Sequence, residues 1–229
     1  RDRDVTGVQT CALPICSQVS VAHRRFWQRF PKAFEATPEC LSVRLLPGQF
    51  PDVHELQGGE QLTEEFVVCF GPDTVTESPL EWVRSPVRVS LPATWLCGAE
   101  ALPHLTPLGV HDDPDYVARV MSALEGEHSF DRKRERIDEY GWRHFGDLYG
   151  DHENAGDPAL TRISHYNNQY DAVAGFAIQY FRTGDTRWLE PMEDLARHVI
   201  DIDIYHTDED KAAYNHGLFW HTAHRSEEH

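Results

Sequence analysis

The chain has 229 residues, with 38 Asp and Glu against 21 Lys and Arg, and a formal charge of −17 at neutral pH. That acidity opposes nucleic acid as a partner, which needs a basic face. No apolar run approaches the roughly 18 residues that read as a membrane span, and the five cysteines form no CxxC pair or zinc spacing, so buried free thiols are the plain reading of Cys40, Cys69 and Cys97.

The opening stretch, RDRDVTGVQTCALPIC, has neither a strand period nor a helical one, and it lacks the apolar segment of a secretion signal. One DNA reading of Thr10–Ile15 ends, with the next base, in GTGCTCTTCCGATCT. Its reverse complement, AGATCGGAAGAGCAC, translates as RSEEH, the final residues Arg225–His229. The two ends therefore read as one DNA sequence taken in opposite directions, which resembles a sequencing-library adapter. The expectation is that residues 1–15 and 225–229 are adapter-derived, that Cys16 is a junction codon, and that residues 17–224 are a piece of a larger protein. Such a piece carries no readable leader, so the sequence assigns no compartment.

Between residues 17 and 106, short runs rich in Val, Phe, Leu and Trp alternate with Pro and Gly: SVAHRRFWQRF (20–30), CLSVRLLP (40–47), EEFVVCFG (64–71) and PVRVSLPA (86–93). This spacing predicts an antiparallel sheet folded as part of a β-sandwich. HELQGGEQ (54–61) predicts a turn at Gly58-Gly59. From residue 107 onward helical periods take over. PDYVARVMSALEGE predicts a short amphipathic helix that starts at Asp113-Pro114, and the charged run DRKRER reads as a solvated face or linker. Residues 168–206 predict an αα-hairpin. Its first apolar stripe is Tyr170, Val173, Ala174, Ala177, Ile178 and Phe181. Its second is Trp188, Leu189, Met192, Leu195, Ala196, Val199 and Ile200. Gly184 caps the first helix, and Asp208–Lys211 reads as an exposed acidic loop.

Three stretches are polar and aromatic at once: DEYGWRHFGDLYGDHE (138–153), SHYNNQYD (164–171) and NHGLFWHTAH (215–224). They hold His144, His152, His165, His216, His221 and His224 beside Trp142, Trp220, Tyr149, Tyr166 and Tyr170. Such a mixture suits sugar binding: aromatic faces stack on the C–H patches of a pyranose, and planar polar groups match paired hydroxyls. Taken singly, an aromatic residue is more often core and a histidine more often structural. His221 and His224 have metal-ligand spacing, but no carboxylate or Cys accompanies them at a matching interval. Asp151-His152-Glu153 suits a hard cation equally well.

At these residues the chain resembles the exo-rhamnogalacturonan lyase family (polysaccharide lyase family 26). The resemblance is carried by GWRHFGDLYGDHE, SHYNNQYD and GLFWHTAH, preceded by FWQRFPKAFEA and HELQGGEQ, and it runs from about residue 20 to 224. It implies an α+β multidomain fragment: a β-sandwich portion over residues 17–106, then the first helices of an (α/α) toroid over residues 107–224. A toroid cut there leaves apolar faces uncovered, so the piece is expected to be inactive alone.

The resemblance also implies cleavage of the rhamnose–galacturonate backbone by β-elimination. That reaction needs a group to neutralise the uronate carboxylate, a base for the C5 proton and an acid for the departing O4. His165 and Tyr166 are the candidate base and acid, in either order. Asn167, Asn168 and Arg143 are candidates to hold the carboxylate, and Trp142, Tyr170 and Trp220 to stack on sugar. Asp147, His152 and Glu153 are hydroxyl or cation partners, and His216, His221 and His224 complete the set. The implied partner is an acidic polysaccharide or oligosaccharide, with neither nucleic acid nor membrane. No cofactor is assigned, and a divalent cation such as calcium is the one alternative for neutralising the uronate. Two rival readings stand beside this one. A glycoside hydrolase would draft Glu139, Asp147, Asp151 and Glu153 as paired carboxylates, and a non-catalytic protein would bind carbohydrate without turnover.

Overall fold

The computed structural model describes residues 8–11, 18–48, 53–148 and 170–218. They fall into two units. The first takes the chain up to Gln57, then Gln61–Val87 and Tyr140–Arg143; the second takes Gly58–Glu60, Arg88–Glu139 and the residues from His144 on.

The first unit carries five short strands: β1 (Val8–Cys11), β2 (Val19–Ala22), β3 (Ala33–Ala36), β4 (Leu41–Arg44) and β5 (Val67–Phe70). They form a three-stranded sheet in the order β1-β2-β5 and a separate pair, β3-β4, all antiparallel. Strand β1 lies in the stretch read as adapter-derived. Every residue of the central strand β2 is buried, Ser20 included. Strand β5 instead alternates, with Val67 and Cys69 turned inward and Val68 and Phe70 outward, the pattern of a strand covered on one face. A one-turn helix, α1 (Glu81–Arg84), follows. The loop before it is organised by Asp73, whose carboxylate accepts the N–H groups of Val75 at 2.9 Å and Leu80 at 2.7 Å. Tyr140–Arg143 joins this unit by backbone: Gly141 N–H donates to the Gln28 carbonyl and Trp142 N–H to the Phe30 carbonyl. The Tyr140 ring meets Trp27 at 4.8 Å between centroids.

The second unit is helical: α2 (Ala93–Gly98), α3 (Pro114–Ser122), α4 (Phe130–Ile137), α5 (Ala172–Thr183) and α6 (Leu189–His198). The ends follow ordinary capping chemistry. Asp113 accepts the Asp115 N–H ahead of Pro114, Ser129 accepts the Arg132 N–H, and Asp171 accepts the Ala174 N–H. Helix α5 ends at Gly184, whose φ of 68° lies in the left-handed region. A side chain there would also run into the Leu91 carbonyl, so only glycine closes this turn. Phe176, Trp188 and Leu195 form the core between α5 and α6, with Val173, Tyr180, Met192 and Val199 packed on them. Buried Arg182 ties the end of α5 to α3 and the loop ahead of it, donating to the Thr106 carbonyl and the Tyr116 hydroxyl and pairing with Asp112.

Several expectations are corrected. The β-sandwich portion followed by an (α/α) toroid is not what the described residues form: they hold two small sheets and six helices, with one helical hairpin. Residues 86–93 make no strand. Pro86 and Pro92 have no N–H to give a ladder, and Val87 and Val89 stand exposed between them. DRKRER is the body of helix α4 rather than a linker. Ser129 caps it, and Asp131 reaches Arg134 one turn on, at 3.6 Å. In α5 the core residue is Phe176, outside the predicted stripe, while Tyr170 is 71 % exposed.

The second stripe holds as far as Val199 and then breaks, because α6 runs into a π turn over Val199–Asp203, closed by the Ile204 N–H on the Val199 carbonyl at 3.1 Å. The wider turn rotates the register. Ile200 swings out to 50 % exposure, and Asp201, Ile202 and Asp203 turn inward. Replacing fully buried Leu195 with Ala should therefore cost the second unit about 2–5 kcal/mol, whereas Ile200→Ala should cost roughly 1 kcal/mol or less. Thermal unfolding of the two variants checks the ranking, and equal losses would return Ile200 to the core.

Candidate functional site

The FGD of the first polar-aromatic stretch is built against the end of α6. Phe145 is buried, with the Arg134 guanidinium 4.7 Å from its ring centroid. Gly146 has φ 108°, and a side chain there would overlap the Asp194 carbonyl of α6. Backbone thus lies directly on backbone, a closeness only glycine permits. Asp147 follows. Its Oδ2 sits 3.2 Å from His198 Nε2, and its Oδ1 accepts the Leu148 N–H at 2.7 Å. Asp203, brought inward by the π turn, places Oδ1 3.7 Å from the same His198 nitrogen. All three side chains are shut away from water. Burial pulls the His198 pKa down, but the Asp147 charge and the bonds to Asp147 and Asp203 outweigh it and hold the ring at about 10. His198 is therefore an imidazolium at neutral pH, standing between two carboxylates.

A cleft beside this cluster is lined by Phe130, Lys133, Arg134, Ile137, Glu139, Asp147 and Leu148. Glu139 is fully buried at its wall, with His144 Nδ1 3.9 Å from its carboxylate. Two carboxylates, two cations and three apolar side chains thus share one small concavity.

The first unit has its own buried charge cluster. Glu64, 2 % exposed, receives His23 Nε2 at 2.6 Å, Lys32 Nζ at 2.6 Å and Arg29 Nε at 3.3 Å, all three side chains themselves buried. His23 Nδ1 accepts the Arg25 N–H at 3.1 Å. The ring proton therefore sits on Nε2 and points at the carboxylate. Burial lowers the His23 pKa despite Glu64, so the ring is neutral. Burial likewise lowers Lys32, with Glu64 pulling the other way. Glu64 loses hydration, which raises its pKa, but the His23 bond and the Arg29 and Lys32 charges bring it down to about 2.

Of the residues predicted from sequence, Trp142, Arg143, Asp147, Tyr170 and His216 fall among those described. Trp142 is buried in the first unit, with the Arg143 guanidinium 5.3 Å from its ring centroid. Arg143 also donates to the Glu55 carbonyl at 3.0 Å. Asp147 is buried on His198, Tyr170 stands in solvent, and exposed His216 pairs with Asp208 at 2.8 Å. His152, Glu153, His165, Tyr166, Asn167, Asn168, Trp220, His221 and His224 lie outside the described residues. His198, Asp203, Glu64, Arg29, Lys32 and His23 were missed. The alternation in HVIDID (198–203) and the pairing of HRRFWQRFPK with TEE are the only signals they leave in the sequence.

Among the described residues no group of three or more His, Cys, Asp or Glu is placed to hold a metal ion, and none of their helices is long and apolar enough to cross a membrane. Comparison with protein-family models finds no match, and comparison with curated proteins finds none either.

The two buried clusters predict opposite pH responses. The raised His198 pKa means the folded form binds a proton that the unfolded form releases. Its stabilisation is complete below pH 6.5 and is lost as pH rises toward 10. The gap in thermal midpoint between the wild type and His198→Gln should therefore narrow across that window, and a gap that widens would refute the ion pair. The lowered Glu64 pKa works the other way: its stabilisation is complete above 4.5 and is lost as pH falls toward 2. At neutral pH Glu64→Gln removes the charge that answers Lys32 and Arg29, and should cost the first unit about 3–5 kcal/mol in urea unfolding.

Proposed function

We propose that the chain is part of a polysaccharide lyase that cleaves the rhamnogalacturonan backbone by β-elimination at galacturonate. The observation that carries this reading is the ordered set GWRHFGDLYGDHE, SHYNNQYD and GLFWHTAH, which resembles the exo-rhamnogalacturonan lyase family. Their chemistry fits the reaction. A histidine titrates near neutrality and serves as base or acid, and a tyrosine hydroxyl serves when a cation lies near. Asn and Arg donors offset the charge that spreads onto the uronate carboxylate as C5–H is lost.

In this reading His165 and Tyr166 exchange the protons, and Asn167, Asn168 and Arg143 hold the carboxylate. Tyr170 and Trp220 stack on sugar, with His152, Glu153, His216, His221 and His224 around them. Trp142 and Asp147 are buried, each within its own unit. A divalent cation such as calcium would supply the same neutralisation as the Arg and Asn donors.

The test is turnover by the full-length gene product that carries residues 17–224, with rhamnogalacturonan oligosaccharides as substrate. The expected result is ultraviolet absorbance from an unsaturated uronate, reduced about 10²- to 10⁴-fold in His165→Ala and in Tyr166→Ala. Near-normal rates in both variants would remove the assignment. A second reading, hydrolysis, is favoured by one observation: Glu139 and Asp147 line the same cleft, and paired carboxylates are what a glycoside hydrolase needs. New reducing ends without the unsaturated product would decide for it.

A further inference from the structure

Three features of the second unit converge on His198, the last residue of α6. The first is the ion pair with Asp147 and Asp203, three side chains at most 1 % exposed. The second is the π turn. In a regular α-helix a residue five positions on lies about 140° round the axis, which would carry Asp203 away from the ring; the wider closure of Val199–Asp203 brings it back. The third is Gly146, whose backbone lies against the Asp194 carbonyl one residue before Asp147. Apolar packing of the same area tolerates sliding. A buried ion pair beside a backbone contact does not, since sliding would leave both charges unanswered.

Asp147 uses its two oxygens for different ends. Oδ2 faces the His198 ring, and Oδ1 takes the N–H of Leu148, the next residue in the chain. One carboxylate therefore transfers the position of a helix side chain to the backbone of the polar-aromatic stretch.

We propose that His198 is a positioning residue: by gripping Asp147 from α6 it fixes the path of Phe145–Leu148. The ring is sealed from solvent and so touches no substrate itself. What the stretch beyond Leu148 binds rests on the lyase reading; the grip does not.

Amide hydrogen exchange on the 229-residue chain tests it, in His198→Gln, in Asp147→Asn and in the double variant. Each single change should speed exchange at Phe145–Leu148 by roughly tenfold or more, with the amides of α5 and the first turns of α6 unchanged. The double variant should go no further than the singles, since both break one link. Unaltered exchange at Phe145–Leu148 would overturn the proposal. So would faster exchange spread evenly over α5 and α6, which marks loss of core packing instead.

Should the variants fail to fold, nitrogen NMR of the wild-type ring decides. Both His198 nitrogens protonated at neutral pH, with a slowly exchanging Nε2–H, is the expected signature, and a neutral ring overturns the grip. The local exchange effect in the variants, together with a full-length gene product that neither binds nor cleaves rhamnogalacturonan oligosaccharides, would remove the lyase reading and leave the proposal standing.

Discussion

A charged group taken out of water loses several kcal/mol of hydration, and only a well-placed counter-charge makes its burial tolerable. Both units are organised by that demand. In the first, one carboxylate, Glu64, answers a lysine and an arginine and takes a neutral histidine's N–H. In the second, one imidazolium, His198, answers two carboxylates. Each cluster joins segments far apart in the chain: Glu64 meets residues 23–32, and His198 meets Asp147 from across α5 and α6. Such pairs add less to net stability than their distances suggest, because the lost hydration is large. What they add is selectivity, since any other arrangement leaves a buried charge unanswered.

The helical hairpin was legible because its signals are local. A 3.6-residue stripe and a closing glycine lie within a few turns, and Gly184, Val173, Met192 and Leu195 fall where such rules put them. The same rules failed at Ile200, because a π turn leaves no mark that a single sequence displays and shifts every residue after it. They failed at residues 86–93 for a different reason. Val and Leu spacing suggested a strand, while the two prolines that deny it ladder bonds were read only as its borders. Helix α4 was hidden by its charge: DRKRER looks solvated until Phe130 and Arg134 are seen covering Phe176 and Phe145.

The candidate site was legible as composition and not as geometry. The first polar-aromatic stretch stood out by its mixture of residues, but those residues divide between tasks that composition cannot separate. Trp142 goes to the interior of one unit under the Arg143 guanidinium, and Asp147 goes to the interior of the other. A buried Asp and an exposed catalytic Asp are the same letter. The partners that set Asp147 apart, His198 and Asp203, lie some fifty residues on, in a segment read as an apolar stripe. The Glu64 cluster was missed on the same ground, since a run of Arg and Lys beside aromatics is ordinarily a wet surface.

The π turn makes the chain between His198 and Ile204 a counted segment. A loop closed five residues on contains one residue more than an α-helical turn, and that single residue is what presents Asp203 to the ring while Ile200 faces water. The constraint is therefore on length rather than on kind. Many side chains could stand at Ile200 without effect, but shortening the segment by one residue would restore an ordinary helix and carry the second carboxylate out of reach. A stretch that tolerates substitution and not deletion is the mark such a turn would leave in the chain's descendants.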